Sequence, residues 1–166
     1  MIKNLVFSGC SSKFYIILGC LKSLFDYKYV NLKTLDNILC SSGSVIVIYW
    51  LLLGYTLAEI KDIIMKIDVN LLFYDNRYNK NIIDNIFDLN CIINNKKFRE
   101  VFEIVTFNKI KRKQITFKEL YDMSGVCLII NAFCYDTEEI EYFSYKTTPD
   151  MNVIDAALMT ISIPIL

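Results

Sequence analysis

Two hydrophobic periods alternate along this chain. Over 13–25 the apolar residues fall at Ile17, Leu18, Leu21, Leu24 and Phe25, the spacing of one helical face. The same spacing returns at Leu57, Ile60, Ile63, Ile64 and Ile67. It follows Thr56-x-x-Glu59, a capping box that predicts a helix over 57–67. Residues 96–108 also read as helix. A second box, Thr116-x-x-Glu119, opens a short helix through Asp122, which Ser124-Gly125 closes. A last helix is predicted from Val153 to about Thr160, with Pro164 as its stop. Between these lie runs of strand character: NLVFS at 4–8, 38–41, VCLIINAFC at 126–134 and IEYFSY at 140–145. The apolar run 45–53 fits a strand by its β-branched start and a buried helix by its place after Ser-Gly-Ser. Residues 26–36 read as a loop or short turn, and 68–95, rich in Asn and Asp, is the least readable stretch. Strands alternating with helices predict an α/β fold. With no repeat or linker, one domain is expected over residues 1–166.

Composition narrows the chemistry. Eighteen basic and eighteen acidic residues cancel, so no net field recommends nucleic acid as a partner. The local run Lys109–Lys113 (KIKRK) reads first as a solvated helix end or loop, with membrane or anion contact as the alternative. No apolar run approaches the roughly 20 residues of a membrane span, so no transmembrane segment is expected. Six cysteines, at 10, 20, 40, 91, 127 and 134, show no C-x-x-C spacing, and the short apolar run of residues 1–10 gives no expectation of a secretory leader. Reduced, mostly buried thiols and a cytoplasmic location are the expectation. The chain contains no histidine. That excludes Ser-His-Asp and Cys-His catalysis within it, and leaves no expectation of a metal site or a cofactor. Asp84 and Asp88, four apart, read as a solvated helix face rather than a metal pair. Abundant Ile, Asn, Lys, Tyr and Phe with few Gly and Pro point to A/T-rich codons, as in a viral or parasite genome; for a viral chain the location would be the host cytoplasm.

Four stretches, in order, resemble the patatin-like phospholipases, a family of serine lipid acyl hydrolases. The first is NLVFSGCSSKFYIILGCLKSL, 4–24. The family has a strand, then G-G-G-x-[KR]-G, then a helix with G-x-L-x-x-L. Gly9, Lys13, Gly19, Leu21 and Leu24 fall in register, while Cys10, Ser11 and Phe14 stand where glycine is usual. The second is CSSGS, 40–44, before the apolar run and Gly54-Tyr55. The family has G-x-S-x-G, a buried helix and often G-Y. Counting back from Gly54 puts Ser42 at the nucleophile, with Cys40 and Ser44 in place of the motif glycines. The third is ITFKEL, 115–120, similar to T-F-x-x-L. The fourth is TTPDMNVIDAALMTISIP, 147–164, similar to T-P, six residues, then A-x-x-x-S-x-x-x-P.

The resemblance implies a three-layer α/β/α fold and a Ser-Asp dyad acting on phospholipid or another lipid ester, with peripheral membrane contact. A dyad suits a chain without histidine. Ser42 would sit on a tight strand-to-helix turn beside a helix N-terminus. Ser41 is the weaker nucleophile candidate, because it would put Leu39 at a glycine position. Backbone N–H groups of Gly9, Cys10 and Ser11 would form the oxyanion hole, with Lys13 adding positive charge or standing solvated in the first helical turn. Cys40 and Ser44 are expected to strain the elbow by about 1–3 kcal/mol if either is forced into a glycine conformation, and Gly43 to relieve part of that. Cys40, with no histidine to activate it, reads as a buried thiol. Tyr49 and Trp50 read as core. The family carries its Asp in D-G-G or D-G-A after the S-x-x-x-P run. No Asp-Gly pair occurs in these 166 residues, so the domain is expected to be incomplete at its C-terminal side. Asp150 and Asp155 fit a loop and a helix surface better than a base. The alternative is a catalytically inactive relative that binds lipid or another protein.

Overall fold

The computed structural model describes residues 2–67 and 95–162; Asp84, Asp88, Cys91 and Pro164 lie outside them. The described elements are β1 (Asn4–Phe7), α1 (Tyr15–Asp26), a 3-10 turn (Leu32–Thr34), β2 (Asn37–Cys40), α2 (Ser44–Leu52), α3 (Leu57–Lys66), α4 (Asn95–Ile110), α5 (Phe117–Ser124), β3 (Cys127–Cys134), β4 (Glu139–Phe143) and α6 (Val153–Ile161). The sheet runs β1-β2-β3-β4, the first three strands parallel and β4 antiparallel to β3.

Period and capping explain most of these elements. Thr56 and Glu59 form a reciprocal capping box at the head of α3, and Thr116 and Glu119 another at α5. Gly125 closes α5 at φ 72°, a left-handed position suited to glycine. The ambiguous run 45–53 lies almost entirely in α2, whose nine residues are all buried. A helix apolar on every side belongs in a core, and this one is surrounded. Tyr49 and Trp50 lie 5.8 and 6.2 Å from the Phe102 ring of α4. The Tyr49 hydroxyl meets Thr106 Oγ1 at 2.8 Å, both buried. Burial pushes the Tyr49 phenol well above its ordinary range, although the Thr106 hydrogen bond opposes this.

The two faces of the sheet differ. Phe7, Ile38, Cys40, Leu128, Ile130 and Phe143 share one face and are buried. Parallel crossovers are right-handed, and β1, β2 and β3 step in one direction, so their connecting helices fall on a single face. On the other face, which a three-layer arrangement would cover, Val6 is 73% exposed and Phe133, Ile140 and Tyr142 are about half exposed among the described residues. None of the described helices is long and apolar enough to cross a membrane.

Candidate active site

The site is built where β1 and β2 end side by side. Phe7 pairs with Cys40, so the loops that follow both strands leave the same edge of the sheet. After β2 the chain turns through Ser41-Ser42-Gly43 into α2. Ser42 has φ 54°, in the left-handed region that a side chain rarely occupies. Ser41 does not share it. The expected strain at Cys40 and Ser44 is absent: neither has positive φ. Ser44 is instead a brace. Its Oγ accepts from the Ser41 N–H at 3.1 Å and reaches Ser41 O at 2.8 Å and Phe7 O at 3.3 Å. Cys40 is fully buried, and burial pushes its thiol far above the ordinary range, against a smaller lowering by the Ser44 hydrogen bond. It stays a protonated core residue.

The loop after β1 lies against this turn. A side chain at Gly9 would place its Cβ 3.3 Å from Ser42 Cβ and 3.9 Å from Ser42 Oγ. At Gly43 the gap is smaller still, with the added carbon 2.5 Å from Ser11 O and 3.4 Å from Cys10 Sγ. Gly43 is therefore required by close approach, without any unusual φ, whereas a side chain at Gly9 would press on Ser42 by a few tenths of an ångström. The loop is held by Lys13 N–H donating to Cys10 O at 2.9 Å and turns through Ser11 at φ 51°. The N–H groups of Gly9, Cys10 and Ser11 donate to no acceptor among the described residues. Gly9 and Ser11 are exposed; Cys10 is half-buried, which raises its thiol above the ordinary value. Lys13 is exposed and precedes α1, with no ion-pair partner among the described residues.

The helix behind the turn fixes the distance from Ser42 to Gly54-Tyr55. The Gly54 N–H donates to Leu51 O at 3.0 Å and the Tyr55 N–H to Trp50 O at 3.1 Å, the paired bonds of a Schellman cap with Gly54 at φ 95°. At the other end, the N-terminus of α2 gives the turn a partial positive charge.

The remaining two motif stretches meet each other. Val153 N–H donates to Ile115 O, Phe117 N–H to Met151 O and Lys118 N–H to Pro149 O, at 3.0–3.1 Å. This joint, with Asn152 capping Ile154 N–H, sets where α6 begins. Near the other end of α6, Thr160 Oγ1 accepts from the Ser42 N–H at 2.8 Å. Thr160 was not anticipated as a site residue. The signal was present, because it stands at the Ser of the A-x-x-x-S-x-x-x-P run, counted from Ala156 to Pro164. Asp150 is exposed and Asp155 pairs with Arg99 at 2.7 Å. No described carboxylate hydrogen-bonds Ser42, and no described cluster of Cys, Asp and Glu could hold a metal ion. Beside the turn opens a groove of about 700 Å³, whose lining includes Ser41, Asn131, Phe133, Phe143, Met159 and Thr160.

The family model of the patatin-like phospholipases matches residues 5–166. This chain belongs to the patatin-like phospholipase family. It is 31% identical, over 99% of its length, to the probable lipid hydrolase 463L of Invertebrate iridescent virus 6. It is 30% identical, over 98% of its length, to the uncharacterized protein R571 of Acanthamoeba polyphaga mimivirus. The chain spans about half the length of these curated relatives, 54% and 52%. Among solved structures, ExoU of Pseudomonas aeruginosa in its complex with SpcU superposes with a TM-score of 0.70 at 17% identity, over 99% of this chain and 37% of that one. VipD of Legionella pneumophila gives 0.63 at 14% identity, over 94% and 41%. At these identities the structures establish the shared patatin-like α/β fold.

Proposed function

We propose that this patatin-like chain carries the nucleophile half of a lipid acyl hydrolase, with Ser42 Oγ attacking the ester carbonyl of a phospholipid or related lipid. The observation that carries the reading is the left-handed turn at Ser42, seated between the N-terminus of α2 and the Gly9–Ser11 loop. In that reading the free N–H groups of Gly9, Cys10 and Ser11 stabilise the developing oxyanion. Losing one such donor typically costs about 10²–10³ in rate. A serine hydroxyl needs a base. Lacking histidine, the site would use an Asp in a Ser-Asp dyad, supplied from outside the described residues. Ser attack forms an acyl-enzyme and releases the alcohol half of the ester; water then releases the fatty acid.

The groove beside the turn, walled by Phe133, Phe143 and Met159, would take the acyl chain. Exposed Tyr15 and Ile16, in the first turn of α1, would touch the lipid surface beside Lys13. This is peripheral contact, with neither cofactor nor nucleic acid. The cytosol, of a host cell if the chain is viral, is proposed on cysteine spacing alone.

The test is fatty-acid release from phosphatidylcholine vesicles by the protein at its natural length. Wild type should release acid and Ser42→Ala should not. A folded wild type that binds vesicles and releases nothing would instead be a catalytically silent, lipid-binding relative.

A further inference from the structure

The turn at Ser42 is held from two directions. Ser41 and Ser44 tie it to β1 and to itself, through Phe7 O and the Ser44 hydroxyl. The Ser42 N–H points the other way, to a side chain 118 residues later. Thr160 is well placed to hold it. It is the penultimate residue of α6, whose Val153, Ile154, Ala156, Ala157, Leu158 and Ile161 are buried. The start of that helix is pinned to the 115–118 segment by three backbone bonds. A threonine on a helix is confined largely to two χ1 rotamers, and the one seen here places its oxygen 2.8 Å from the Ser42 nitrogen.

We propose that Thr160 is the positioning residue of this site, an inference that rests on Ser42 being the nucleophile. By accepting the Ser42 N–H it holds the residue at its left-handed φ, and so aims Oγ at the Gly9–Ser11 loop. It also commits the Ser42 N–H, leaving the loop amides as the donors to an oxyanion. The far end of the chain thereby sets the geometry of the elbow without touching substrate through this bond.

The isosteric change Thr160→Val removes the acceptor and keeps the shape, while Thr160→Ser keeps the acceptor. Two readouts are needed, the hydrogen-exchange rate of the Ser42 amide by NMR and the rate of Ser42 labelling by a fluorophosphonate. In Thr160→Val the Ser42 amide should exchange at least about tenfold faster while the Ile48 amide in α2 is unchanged. Labelling should slow up to about 100-fold, the scale of an ångström misplacement. Thr160→Ser should restore both. An unprotected Ser42 amide in the wild type, or equal protection in Thr160→Val, overturns the anchor. Wild-type labelling speed in Thr160→Val with the amide deprotected overturns the positioning role. If the wild type is not labelled at all, the hydrolase reading fails, and with it the positioning role; the exchange data then decide the anchor alone. Should Thr160→Val not fold, loss of amide protection in Thr160→Ser would overturn the proposal equally.

Discussion

Gly43 is where the elbow and the loop leave no space for a methyl group. Its φ of −58° and ψ of −18° are ordinary for any residue, so alanine meets no backbone objection. The obstacle is steric. The new carbon would lie 2.5 Å from Ser11 O, whereas carbon–oxygen contacts settle at about 3.3 Å or more. The loop and the turn must part by roughly 0.8 Å, and Cys10 Sγ at 3.4 Å blocks a sideways escape. Overpacking of this kind costs about 1–3 kcal/mol. For a chain of this size that lowers Tm by about 2–12 °C. The chemical effect should be larger, because the shift separates Ser42 from the Gly9–Ser11 amides. An ångström of misplacement can cost about 10²-fold. Gly43→Ala should therefore label with fluorophosphonate about 100-fold more slowly than wild type while remaining folded at 25 °C. Gly19→Ala is the control. That glycine lies in α1 with nothing within 4 Å of an added Cβ. It should gain about 0.5–1 kcal/mol and label normally. A Gly43→Ala protein with wild-type Tm and labelling would refute the close approach.

Three further outcomes follow from the same geometry. Restoring the family glycines with Cys40→Gly and Ser44→Gly should impair rather than improve the protein, since Cys40 is fully buried and Ser44 braces Ser41 and Phe7; a lower Tm checks this, and a higher Tm with faster labelling would contradict it. Tyr49→Phe or Thr106→Val alone should each cost about 1–3 kcal/mol by orphaning a buried hydroxyl, while the double variant should cost less than their sum in denaturant titrations. Glu119 is held below the usual carboxylate range, first by the Thr116 backbone N–H and then by Arg112. Its folded pKa is depressed, so its contribution is complete above the unfolded value of about 4.3 and is lost as pH falls through the folded value; the Tm gap between wild type and Glu119→Gln should shrink from pH 6 to pH 3.

The elements most legible in the sequence were those whose signal is local. The boxes at Thr56 and Thr116 satisfy helix amides within three residues, so a short window contains the whole cause. The run 45–53 was undecided for the opposite reason. It is buried on all sides, and burial erases the period that separates strand from helix; the preceding Ser-Gly-Ser allows a helix, and the Gly54-Tyr55 cap directly after the run closes one. At the turn, the spacing to that cap singles out Ser42, the residue that the structure holds at a left-handed φ. The roles of Cys40 and Ser44 were not. A missing glycine suggests strain only if the backbone there is left-handed, and the structure puts that conformation on Ser42 and Ser11 instead. Thr160 was hidden by distance, since a bond spanning 118 residues has no local pattern.

The most direct test of the account is to find where a fluorophosphonate lands. The protein at its natural length should be labelled once, with peptide mass spectrometry placing the adduct on Ser42, and Ser42→Ala should abolish it while Ser41→Ala does not. An adduct on Ser41, or no adduct on a folded protein that binds lipid, would contradict the claim that the left-handed turn at Ser42 is a working nucleophile elbow.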